Sequence, residues 1–112
     1  MSPAVEQSEA RAAKNEISFR EANEKIGEKR TELDVDGPTP FLCECSDPRC
    51  TEVIRLTLRE YEHARSNATW FVVALGHDAD GGTPVEESDT HAIVKKTGIA
   101  GLMAVDEDPR GE

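Results

Sequence analysis

Aromatic side chains are scarce in this chain: one Trp, one Tyr and three Phe among 112 residues, or 4%. Aromatics supply much of the buried area of a small core. The first third of the sequence is mostly charged, so the core must come from about residues 41–105. A core of roughly 65 residues is marginal without a metal or a disulfide to staple it. Long apolar runs are missing too. No stretch of about 18 apolar residues exists, so no helical membrane span is expected. The segment Met1 to Glu9 carries Glu6 and Glu9 and has no basic stretch leading into an apolar one. It does not read as a secretory signal, and a cytoplasmic location, where thiols stay reduced, is expected. The Asn67-Ala68-Thr69 sequon has no role there, because glycosylation needs secretion.

Positive charge is in deficit. Lys and Arg number 13 against 23 Asp and Glu, a formal net charge of −10. Such a chain repels phosphate backbones and anionic membrane surfaces, so neither nucleic acid nor a membrane is expected as a partner. Lys95-Lys96 and Arg59 are too isolated to form a nucleic-acid patch. A basic protein surface is compatible with the charge. The acidic runs Glu86-Glu87 with Asp89, and Asp106–Asp108, read as solvated surface.

What is present organises into an α+β pattern. Residues 1–8 read as disordered, with Ser2, Pro3 and Ser8 among small and acidic residues. Residues 9–34, rich in Glu, Ala, Lys and Arg, read as one long helix. Its apolar stripe runs Ala12, Phe19, Ala22, Ile26, Leu33 at helical spacing. Asp36-Gly37-Pro38-Thr39-Pro40 is a stiff connector. Phe41–Cys45 reads as a strand, Ser46–Arg49 as a turn, and Thr51–Leu56 as a second strand. Thr57 with Glu60 is a capping box that starts a helix at Leu58, ending near Ser66. Trp70–Leu75 is the most apolar run and is expected to be a central strand. Residues 78–84 read as a flexible loop. Val85–Thr97 contains a fourth strand, strongest at His91–Lys95. Ile99–Val105 reads as a short helix through Ile99, Leu102 and Met103, and residues 106–112 as a frayed acidic tail. The expectation is one domain over residues 9–105, with a long helix and a small, mostly antiparallel sheet of about four strands.

All three cysteines fall within eight residues, as Cys43-x-Cys45-x4-Cys50. Positions two apart on a strand share a face, so Cys43 and Cys45 can reach one point. The following turn returns Cys50 to it. Three thiolates around one centre, with one tetrahedral position left, is the arrangement zinc takes. His77, directly after Gly76 at the end of the apolar run, is the expected fourth ligand. His63, His91, Asp47 and Asp78 are alternatives. A Cys45–Cys50 disulfide would need an oxidising compartment. A Cys43–Cys45 bridge would be badly strained. Buried free thiols are a further reading, and an iron–sulfur cluster generally wants four cysteines at other spacings.

The stretch Cys43-Glu44-Cys45-Ser46-Asp47-Pro48-Arg49-Cys50 resembles the post-SET zinc motif of histone methyltransferases. That motif has the same Cys spacing and borrows its fourth ligand from a distant segment. Nothing else here resembles a methyltransferase, so the resemblance implies zinc and no methyl transfer. Residues 19–109 also resemble a group of small uncharacterised bacterial proteins. The matching stretches are Phe19-Arg20-Glu21-Ala22-Asn23, Pro40-Phe41-Leu42-Cys43-Glu44-Cys45, Asp47-Pro48 with Cys50, Glu60-Tyr61-Glu62, Gly76-His77 and Asp108-Pro109-Arg110. This resemblance implies a shared fold and a shared Cys3His site, and no activity.

Three thiolates and a histidine would close the coordination sphere, as in structural sites. The His-Glu-x-x-His protease motif, the deaminase His-x-Glu pattern and a phosphate-binding glycine loop are absent. The expectation is therefore a zinc-stabilised module that binds a partner protein through the N-terminal helix, with Phe19 and Ile26 outward. A thiol-based redox or zinc-release sensor is the alternative, ahead of a small metal-dependent enzyme.

Overall fold

A computed structural model of the chain describes residues 3–33, 37–45, 47, 49–77 and 82–110. The readings that fall on Asp36, Ser46, Pro48, Asp78 and the rest of 78–81 lie outside these residues, as do those on the first two and last two positions.

The long helix α1 spans Pro3–Glu32. It begins six residues before the expected start at residue 9. Pro suits the first helical position, where its missing N–H has no partner to lose, and Glu, Gln and Ala continue it with good propensity. The inward face is not the apolar stripe. Ala13, Glu16, Ile17, Arg20, Asn23 and Glu24 are buried, a face that follows helical spacing but is largely polar. Ala12, Phe19, Ala22 and Ile26 flank it, half-buried. Ile26 packs against the core, so it does not point outward as expected, and Leu33 is exposed.

Strands β1 (Thr39–Leu42) and β2 (Val53–Leu56) form an antiparallel hairpin with Phe41 opposite Ile54. Pro40 is tolerated because it faces solvent on a two-stranded edge. The β1 strand therefore begins inside the expected connector and ends before the cysteines. Helix α2 (Leu58–Ala64) starts at the expected capping box, with Glu60 N donating to Thr57 Oγ1 and Thr57 N donating to Glu60 Oε1. Its Tyr61 ring stacks on Phe41, with centroids 4.3 Å apart and planes 7° from parallel.

A second, three-stranded sheet is built from β3 (Trp70–Ala74), β4 (Gly82–Glu87) and β5 (His91–Lys96). All pairings are antiparallel, in the order β3-β5-β4. The single strand expected within Val85–Thr97 is thus the second half of a hairpin, giving five strands in two sheets. The central position belongs to β5. The β3 strand lies at the end of the sheet, but its outer edge is covered by the Cys43–Glu44 backbone. Glu44 N donates to Val72 O at 2.8 Å. That cover explains why Phe71, Val72 and Val73 are all buried.

Helix α3 (Gly98–Asp106) packs between β5 and α1. Its inward residues are the small ones, Ala100, Gly101 and Ala104, while Leu102 of the expected apolar face is 73% exposed. Close backbone approach explains the choice, as a Cβ at Gly101 would lie 2.9 Å from Lys96 O. Within the segment expected to fray, Asp108 and Arg110 pair with residues of the fold. Asp108 pairs with the buried Arg65. Arg110 is held between Glu24 of α1, at 2.5 Å, and Glu62 of α2, at 2.5 Å. Among the described residues, no helix is long and apolar enough to cross a membrane.

Candidate metal centre

Cys43 and Cys45 directly follow β1, two positions apart, and their sulfurs converge. Cys50 N donates to Asp47 O at 3.1 Å, closing the turn that brings the third thiol back. His77 is delivered by a β-turn at the end of β3. His77 N donates to Ala74 O at 3.0 Å, and Gly76 has φ +82°. A positive φ at the third turn residue is what a type II turn demands and what glycine supplies without steric cost.

The three sulfurs and a ring nitrogen of His77 all lie within 4.8 Å of one another. His77 Nδ1 stands 3.6 Å from Cys43 Sγ and 3.5 Å from Cys50 Sγ. One imidazole nitrogen cannot make two good hydrogen bonds to two thiols. Those distances do match the edge of a tetrahedron: with Zn–S near 2.3 Å and Zn–N near 2.05 Å, the S···N edge is about 3.6 Å. The four groups can therefore hold a metal ion such as zinc. Ala74 N also donates to Cys43 Sγ at 3.2 Å, which favours sulfur in its charged, ligating form.

Burial pushes the Cys43 thiol up, against the pull of the Ala74 N–H, and neighbouring thiols add to the rise. Burial likewise pushes Cys45 up. A cation at the centre reverses that preference, since metal ligation requires the thiolate. Cys43 and Cys45 are buried and Cys50 is half-exposed. The cluster lies where the β1–β2 sheet meets the end of β3, so it touches both sheets.

Among the described residues, the other candidate ligands do not join this cluster. His63 pairs with Glu86, and His91 Nδ1 lies 3.1 Å from Ser88 Oγ, and both histidines line a cleft of about 420 Å³. Asp47 is exposed and its carboxylate accepts from Arg49 N at 2.9 Å.

Sequence reasoning missed the residues that support the cluster. Glu44, 1% exposed, lies between two candidate ligands with its carboxylate on the opposite side of the segment. Its Oε1 accepts from Val72 N at 2.9 Å and its Oε2 from Asn23 Nδ2 at 2.8 Å. Burial pushes this carboxyl up to about 7, against the downward pull of those two hydrogen bonds and of Arg65 and Arg20. Strand alternation held the signal: if positions 43 and 45 face the metal, position 44 faces the interior.

No family model, curated protein or solved structure matches the chain. The resemblances drawn from the sequence stand on the quoted residues alone, of which Cys43, Cys45, Cys50 and His77 form the cluster.

Proposed function

We propose that this protein is a structural-zinc module in which Cys43, Cys45, Cys50 and His77 are the ligands, and that it acts by binding a partner protein. The observation that carries the metal reading is the single His77 nitrogen placed 3.6 and 3.5 Å from two sulfurs. A bound ion would supply a cross-link between the β1–β2 hairpin and the end of β3, adding folding free energy to a core poor in aromatics. Four protein ligands leave no open position for water, which argues for a structural role over a catalytic one.

The partner reading draws on three surface features. Phe19 remains half-buried on the flank of α1. Leu102 and Val105 are exposed on α3, which packs against α1. A groove of about 670 Å³ is edged by Glu28 and Glu32 and by Glu24 and Glu62, whose carboxylates pair with Arg110 within it. Together they suit a protein that offers apolar and basic side chains.

The half-exposure of Cys50 favours one second reading, a thiol-based redox sensor. An exposed zinc-bound thiolate is the sulfur that peroxide reaches first. Peroxide titration in the presence of a zinc indicator decides it: release at low peroxide supports sensing, and resistance supports a plain structural role.

The experiment that tests the main reading is elemental analysis with native mass spectrometry on the wild type and on His77→Ala. One zinc per chain, lost or weakened in the variant, is the expected result. Protein purified without chelators that carries no metal overturns it.

A further inference from the structure

We propose that Glu44 and Asn23 are positioning residues for the metal centre, holding the Cys43–Cys45 segment in ligating register from the side opposite the metal. The inference rests on the zinc reading above.

The geometry is a bracket with no slack. Asn23, on the buried face of α1, grips the backbone of Leu42 from both sides: Leu42 N donates to Asn23 Oδ1 at 2.7 Å, and Asn23 Nδ2 donates to Leu42 O at 2.9 Å. The same Nδ2 donates to Glu44 Oε2 at 2.8 Å. Glu44 then joins β3 twice, through its N to Val72 O at 2.8 Å and through Oε1 from Val72 N at 2.9 Å. Residues 42 and 44 are thereby fixed to α1 and β3, and residues 43 and 45 between and beyond them have no freedom but to face the opposite side. The Ala74 N–H that meets Cys43 Sγ is two residues along β3 from Val72. A slip of the segment along β3 would break that contact and the Val72 contacts together.

The bracket also dictates side-chain identity. Both Glu44 oxygens accept, and each faces a donor. Glutamine at 44 keeps the volume but replaces one acceptor by an NH2 group. If Val72 N keeps the remaining oxygen, the new NH2 opposes the Asn23 NH2. Asn23 cannot flip to relieve this, because a flip reverses both of its bonds to Leu42. Two buried donors face to face cost a hydrogen bond and a desolvated group. Aspartate at 23 would accept from such an amide and from Leu42 N, but the oxygen replacing its NH2 would face Leu42 O, so a second change at 23 does not re-form the bracket.

The test measures the affinity of four full-length proteins for Zn(II) by competition with a chromogenic chelator. Ligand geometry is read in parallel from the visible spectrum of the Co(II) forms. Glu44→Gln is expected to bind about tenfold to a hundredfold more weakly than wild type, the usual cost of losing an outer-shell partner. Its Co(II) spectrum should shift as the thiolates move. Asn23→Asp, which turns the donor to Leu42 O and Glu44 into an acceptor, should weaken binding likewise. Glu24→Gln, which removes a buried ion-pair partner outside the bracket, should unfold more easily and yet keep wild-type affinity and spectrum. If Glu44→Gln does not fold, Asn23→Ala takes its place, with weaker binding expected for the same reason. Wild type that binds one zinc while Glu44→Gln binds it equally well overturns this inference and leaves the zinc reading intact. Wild type that binds no zinc overturns both.

Discussion

Lys96 Nζ lies 2.5 Å from Glu16 Oε2, and neither side chain reaches solvent. The pair joins β5 to the inward face of α1, where a helix of this amphipathic pattern would ordinarily offer leucine or isoleucine. Two buried charges are costly to desolvate, and the pair is tolerated because the partners meet. Removing one partner leaves the other uncompensated. Lys96→Met alone is expected to cost about 3–5 kcal/mol, while Lys96→Met with Glu16→Leu should recover most of that. Urea unfolding of the two variants checks it. Equal losses in the single and double variants would show that the pair contributes by shape and not by charge.

Arg20 performs a similar service with more reach. It is fully buried, donates from Nη1 to Ala68 O at 2.7 Å and from Nη2 to Ala104 O at 2.8 Å, and lies over the Phe71 ring at 4.8 Å. One side chain thus ties α1 to the turn before β3 and to the end of α3. Lysine has the charge but not the planar fork. Arg20→Lys should lose one of the two carbonyl contacts and the ring contact, at about 1.5–3 kcal/mol. The denaturation midpoint should fall with an unchanged m-value. An unchanged midpoint would mean that the fork contributes nothing that an ammonium group cannot.

These buried charges explain which parts of the fold could be read from the sequence. The Cys43, Cys45, Cys50 and His77 cluster, the Thr57–Glu60 cap and the apolar β3 strand were legible because each is a local pattern of residue types. The inward face of α1 was not, since periodicity looks for apolar residues and this face buries Glu16, Arg20, Asn23 and Glu24. Strand β4 escaped because its exposed residues include Pro84, Glu86 and Glu87, and only its pairing with β5 gives it form. The order around Asp108 and Arg110 depends on Arg65, Glu24 and Glu62, which lie more than forty positions away in sequence.

That last group makes stability depend on acid. Burial raises the Glu24 carboxyl, but Arg110 and Arg65 outweigh it and hold the group below its ordinary 4.5. Asp108 behaves alike: burial raises it, and the Arg110 backbone, Arg65 and Arg20 hold it below 3.8. A depressed folded-state pKa stabilises above the unfolded value and loses that contribution as pH falls through the folded one. Glu44, pushed up to about 7, acts with the opposite sign between 4.5 and that value, so the informative window lies below 4.5. Metal-free protein should therefore lose thermal stability as pH drops below about 4.5. Arg110→Ala should lose less over the same interval, because Glu24 has less depression to give up. Thermal melts of both proteins from neutral to strongly acidic buffer check this. Parallel curves would show that Arg110 does not set the Glu24 protonation equilibrium.

Two glycines in helices should respond oppositely to the same substitution. At Gly101, a Cβ would stand 2.9 Å from Lys96 O and 3.2 Å from Lys96 C, both backbone atoms that cannot swing away. Gly101→Ala must push α3 off β5, and overpacking of this kind typically costs about 1–3 kcal/mol. At Gly27, a Cβ would meet Tyr61 Cε2 at 3.5 Å and Phe41 Cε1 at 3.9 Å, ordinary contact distances against the stacked ring pair. Alanine there removes the backbone entropy penalty of glycine within a long helix and adds a methyl group to the core, a gain of up to about 1 kcal/mol. Thermal melts should place Gly27→Ala above wild type and Gly101→Ala below it. If Gly101→Ala is neutral, α3 is free to shift along α1, and its small inward residues would then reflect something other than the close approach to β5.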